Sequence, residues 1–161
     1  MSKIHTIPAT AADPTVAAGT AQFLTPVVLG LQALVVNGKQ AHWNVRGTNF
    51  LPIHELLDSV VTHAQDWSDT AAERIVALGL PIDARLATIS AKVKDTAVPA
   101  GFAQWDEVVS DVISDIDAVL VDIRAAVEGL GEVDASSQDV AIEIQRGIEK
   151  DRWFLVAHLS S

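Results

Sequence analysis

Apolar residues return along most of this chain every three or four positions. Leu24, Val27, Val28, Leu31, Leu34, Val35 and Gly38 share one stripe at about 100° per residue, which predicts a helix from about residue 15 to Val45. Arg46-Gly47-Thr48-Asn49 breaks it. Leu51-Pro52 opens a second helix, since proline is tolerated in a first turn, and the pattern carries it to Leu78, ahead of Gly79 and Pro81. Residues 80–103 contain Pro81, Pro99 and Gly101 and read as a long irregular crossover with a short helix around Ala84–Ala91. A third helix is predicted over Gln104–Gly129, with Val108, Val109, Val112, Ile113, Ile116, Val119, Leu120 and Ile123 inward. N-cap candidates at Asp134–Ser137 start a fourth, whose inner face carries Val140, Ile144, Ile148 and then Phe154 or Leu155. No segment alternates with period two, and no repeat is found. The expectation is an all-α protein: a four-helix bundle with its long connection between helices 2 and 3. Residues 1–15, rich in Ala, Thr and Pro, read as a flexible arm on a single domain of residues 16–161.

Composition removes several classes of function. The 161 residues include no cysteine, which excludes disulfide frameworks, thiolate zinc sites, iron-sulfur clusters and thiol catalysis. Eleven Lys and Arg stand against 21 Asp and Glu, a formal net charge of -10, which repels phosphate backbones and gathers cations. The most apolar stretch, Phe23–Val36, is interrupted by Thr25, Pro26 and Gln32 and falls short of the ~20 residues of a membrane span. The first twenty residues hold Lys3, Pro8 and Asp13 and do not read as a secretory signal. The expectation is a cytoplasmic protein with no membrane partner. No P-loop, G-x-S-x-G or G-x-G-x-x-G occurs, so no nucleotide site is expected.

The chemistry is carried by histidines and carboxylates. His42 falls on the buried stripe of the first helix, eleven residues after Leu31. On the second helix His54 and Asp58 are spaced i, i+4, as are Asp69 and Glu73, so each pair can aim two ligand atoms at one point. With His54 at 0°, the other three fall at about 40°, 60° and 100°, apart from the apolar face at about 200° to 300°. Taken singly, Asp58, Asp69 and Glu73 would read as a solvated helix face, and His42 as a satisfied core imidazole. Their common placement favours metal ligation.

His54 and Asp69 are fifteen residues apart, about 22 Å at 1.5 Å per residue, so one metal cannot touch both pairs within a chain. Two copies of the helix packed antiparallel about a two-fold axis near residues 63 and 64 would bring His54 and Asp58 of one chain to Asp69 and Glu73 of the other. His42 would complete each of two equivalent sites. Mixed imidazole and carboxylate ligands suit iron, manganese or zinc better than magnesium or calcium.

These residues also resemble a known family. Lys39-Gln40-Ala41-His42-Trp43-Asn44-Val45-Arg46-Gly47, Asn49-Phe50, His54-Glu55-Leu56-Leu57-Asp58 and Ser68-Asp69-Thr70-Ala71-Ala72-Glu73-Arg74 are similar to the motifs of the Dps family of mini-ferritins, with weaker likeness from Lys150 to Phe154. The resemblance implies a ferritin-like bundle assembling as a hollow dodecamer, built from two-fold dimers. It implies a ferroxidase that oxidises Fe(II), preferentially with hydrogen peroxide, and stores ferric mineral, protecting against oxidative stress. Two iron ions would sit at each inter-subunit site, held by His42, His54 and Asp58 of one chain and Asp69 and Glu73 of its partner. Trp43 is similar to the family's aromatic beside the iron, and Asp134 and Asp139 occupy places similar to its ion-pore carboxylates, with Glu143 one turn on. Many members bind DNA through lysine-rich tails. Here residues 1–20 offer only Lys3, and Trp153–Ser161 offer no Lys or Arg, so DNA binding is expected to be weak or absent.

Two other readings use the same residues. His54-Glu55-Leu56-Leu57-Asp58 superficially approaches H-E-x-x-H, and a metal there would activate water for hydrolysis with Glu55 as base, but the second histidine is missing. A DNA-compacting structural protein is disfavoured by the acidic balance. His5, His63 and His158 have no second ligand at metal spacing and read as surface or packing residues.

Overall fold

The computed structural model describes residues 13–160. Asp13 caps the first helix, its carboxylate accepting from the Thr15 N–H at 2.7 Å, and Pro14 supplies the first turn. Asp13 to Thr15 therefore belong to the bundle and not to the arm expected over residues 1–15; the rest of that arm, residues 1–12, lies outside the described residues. The elements are α1 (Pro14–Asn44), β1 (Val45–Arg46), α2 (Phe50–Ala77), α3 (Leu86–Lys92), β2 (Ala103–Gln104), α4 (Trp105–Leu130) and α5 (Ala135–Leu159).

Helix α1 is apolar and long enough to cross a membrane by length and composition, yet its buried residues pack on α2 and α4, and Leu24, Leu31 and Leu34 lie in the shared core. Pro26 sits inside it, and the Thr25 hydroxyl bonds the Ala21 carbonyl at 2.6 Å. Helices α1 and α2 form one antiparallel hairpin and α4 and α5 the other, each helix chiefly against its hairpin partner. Gly47 makes the first turn at φ 113°, a left-handed conformation that costs other residues about 1 kcal/mol or more. The core between the hairpins is filled by Ile53, Leu57, Ile75, Ile116, Leu120, Ile123, Ile144 and Ile148, all nearly inaccessible.

The crossover differs from expectation in one respect. Val45 and Arg46 pair in parallel with Ala103 and Gln104, so two short strands exist where none was foreseen. Two residues on each side are too few to show a period of two. The crossover is fastened further by buried Val98 and by the Thr96 hydroxyl, which donates to Asp115 of α4 at 2.5 Å. Of the two alternatives for the end of α5, Leu155 is buried and Phe154 is exposed.

Candidate metal centre

The end of α1 and the start of α2 are held close by a glycine. A Cβ at Gly38 would lie 2.7 Å from the Val61 side chain, nearer than real Cβ contacts approach, so only glycine lets the helices meet at this distance. One turn beyond Gly38, His42 faces His54 across the gap. Their rings stack with centroids 3.7 Å apart and 21° between planes. His42 Nδ1 donates to the His54 carbonyl at 2.7 Å, and His54 Nδ1 donates to the His42 carbonyl at 2.9 Å. A carbonyl oxygen only accepts, so the hydrogen in each bond belongs to the ring, and Nε2 of each imidazole is the nitrogen left for other partners. Imidazoles that ligate metals are commonly oriented by this kind of bond from the other ring nitrogen.

Asp58 lies in the same open pocket of about 480 Å³ as His42 and His54. Its carboxylate is bonded by the Lys39 ammonium from α1, and that bond, with attraction to Lys39, His42 and His54, holds the carboxyl below its ordinary range. His42, His54 and Asp58 are thus brought together. Asp69 and Glu73 are not: both are exposed further along α2, outside the pocket, with no hydrogen bond or ion pair among the described residues. Among those residues no three His, Asp or Glu side chains stand close enough to hold a metal within one chain.

Trp43 is largely exposed at 66% and free of core packing. Asp134 is the N-cap of α5, and its Oδ2 accepts from the Ser137 N–H at 2.8 Å, the Ser137 hydroxyl at 2.5 Å and Arg74 Nη2 at 2.7 Å. The Ser137 bonds, then the Arg74 guanidinium, lower its carboxyl to about 2. That oxygen therefore serves the helix terminus, whereas Asp139 and Glu143 are exposed with no bonded partner among the described residues.

Sequence reasoning passed over His63. It lines the same pocket, and its Nδ1 lies 3.0 and 3.1 Å from the two carboxylate oxygens of Asp151 on α5. The signal was present in Asp151, a charged residue on the apolar stripe of Ile144, Ile148 and Leu155. His158, by contrast, meets Asn49 at 3.1 Å in a packing contact.

The ferritin-like domain family matches residues 30–161. The DNA protection during starvation protein of Agrobacterium fabrum is 34% identical over 122 residues, covering 75% of each chain. Among solved structures, Dps from Microbacterium arborescens in its high iron form is 71% identical with a TM-score of 0.91, covering 93% of this chain and 98% of that one. Dps92 from Deinococcus radiodurans is 31% identical with a TM-score of 0.85, covering 90% and 88%. Bundle, crossover and motif-bearing helices agree with these relatives, and the chain belongs to the Dps family of ferritin-like proteins.

Proposed function

We propose that this chain is a cytoplasmic ferroxidase and iron-storage subunit of a hollow dodecamer. It oxidises Fe(II) with hydrogen peroxide at dinuclear sites between two-fold-related subunits and keeps the ferric product inside the cage, protecting the cell from oxidative stress. The observation that carries the reading is the reciprocal bonding of His42 and His54, which commits both Nδ1 atoms and leaves both Nε2 atoms as ligands beside Asp58.

Asp69 and Glu73 of a partner subunit complete the site. The midpoints of His54 with Glu73 and of Asp58 with Asp69 coincide between residues 63 and 64, so one two-fold axis satisfies both pairs. Both acids are exposed and, among the described residues, unpaired, as residues reserved for a second chain must be before assembly. The high iron form in which the Microbacterium arborescens relative was solved supports iron as the cargo.

Two ferrous ions held together deliver one electron each, so the peroxide O–O bond breaks without release of hydroxyl radical. The balance is 2 Fe²⁺ + H₂O₂ + 2 H₂O → 2 FeO(OH) + 4 H⁺. Three carboxylates offset most of the charge of the two ions. Trp43 stands next to His42, near enough in sequence to flank the iron. Asp139, with Glu143 one turn on, is the candidate for the ion pore; Asp134 contributes there only through its second oxygen.

The test is the stopped-flow appearance of ferric absorbance after mixing Fe(II) protein with peroxide. His42→Ala with His54→Ala should abolish the fast phase while the particle stays assembled. Equal rates in wild type and the double variant would refute the assignment.

A further inference from the structure

The pocket containing His42 and His54 runs along α2 past Asp58, Ser59 and Thr62 to a third imidazole, His63. The His63 side chain is half exposed, and its ring leans on Trp67 with centroids 5.5 Å apart. Its partner Asp151 is the opposite: the carboxylate is 4% exposed, and burial pushes the carboxyl up while the bond from His63 works against that rise. A buried charge among isoleucines is costly unless it is paired, and His63 is the hydrogen-bond partner the described residues provide. An ionised carboxylate only accepts, so Nδ1 carries the hydrogen and Nε2 keeps its lone pair. The carboxylate fixes the tautomer and stabilises the ring once it is charged, as in other acid–imidazole pairs. Neither residue belongs to the ligand set, and nothing in iron binding explains why the bundle buries Asp151.

We infer that His63, oriented by Asp151, is the proton acceptor of the ferroxidase site. The inference rests on the ferroxidase reading. Four protons leave for each pair of ferrous ions oxidised, while the electrons pass from iron to peroxide. A proton from a water O–H, carried through solvent in the pocket, forms a bond at His63 Nε2. It then passes to further solvent in the pocket, and the imidazole returns to neutral.

Asp58 and His63 are five residues apart, about 7.5 Å along α2. Between them the Ser59 and Thr62 hydroxyls donate to the Glu55 and Asp58 carbonyls at 3.2 and 2.9 Å, which leaves their lone pairs to accept from water. The titratable groups that share the pocket with His63 are His54, Glu55 and Asp58 of α2 and His42 of α1, while from α5 Asp151 bonds it and Lys150 acts on Asp151; among the described residues only Asp151 bonds the ring.

The test uses the assembled protein. His63→Gln should slow ferric formation with peroxide by about tenfold or more, in line with general-base contributions, with Co²⁺ affinity and particle mass unchanged. Added imidazole should restore much of the rate in His63→Ala. In Asp151→Asn the amide N–H can donate to Nδ1 and move the ring hydrogen to Nε2, so the rate should fall towards that of His63→Gln. A His63→Gln rate within twofold of wild type at every pH, a loss that follows Co²⁺ binding, or no rescue in His63→Ala would each overturn the relay. Wild type that forms no ferric product with peroxide removes the ferroxidase reading and the relay together, whereas active wild type with an equally active His63→Gln removes the relay alone.

Discussion

His42 and His54 are fixed in tautomer by main-chain carbonyls, so the cost of orienting them is met during folding and not when a cation arrives. Asp58 is different, because Lys39 already occupies its carboxylate. A cation must displace that ammonium, so Lys39→Met should bind Co²⁺ more tightly than wild type by isothermal titration; unchanged affinity would mean the pair is broken at no cost. The Lys39 bond also holds the Asp58 carboxyl below its ordinary range, so the gain in Co²⁺ affinity in Lys39→Met should shrink as pH falls and protons take the place of the ammonium. His42, His54 and Asp58 were legible because each repeats a helical spacing within one or two neighbouring elements. The His63 and Asp151 pair was not, because 88 residues separate the partners and no periodicity links α2 to α5.

Helix boundaries followed the stripe of apolar side chains closely, because burial on one face is what holds each helix in place. The strands were invisible for the opposite reason: Val45 and Ala103 meet only after the crossover has run the length of the bundle. Termini carry their own energetics. The Asp134 cap joins α5 to α2 through Arg74, next to the proposed ligand Glu73. Its folded carboxyl, at about 2, lies below the ordinary 3.8, so its stabilisation is present above pH 4 and is lost as pH falls towards 2. Thermal melts should therefore show Asp134→Ala less stable than wild type by about 1 kcal/mol near neutrality, with the gap closing in that acid window. A pH-independent gap would assign the effect to packing.

At the scale of the molecule, a net charge of -10 leaves little for counterion release. Plasmid mobility should be unchanged at physiological salt, while light scattering should give a particle of about twelve chains; a salt-sensitive shift would contradict the first, and a monomer would remove the shared site. The same whole-molecule view gives the crossover a further meaning. It is tied to the bundle at both ends and by Val98 and Thr96, yet Lys92 and Lys94 are exposed between these anchors. Brief trypsin treatment there should yield two fragments on a denaturing gel that still elute together and keep their helical circular dichroism. Cohesion in this protein resides in interlocked side chains, so the covalent thread joining its halves is dispensable once folding is complete.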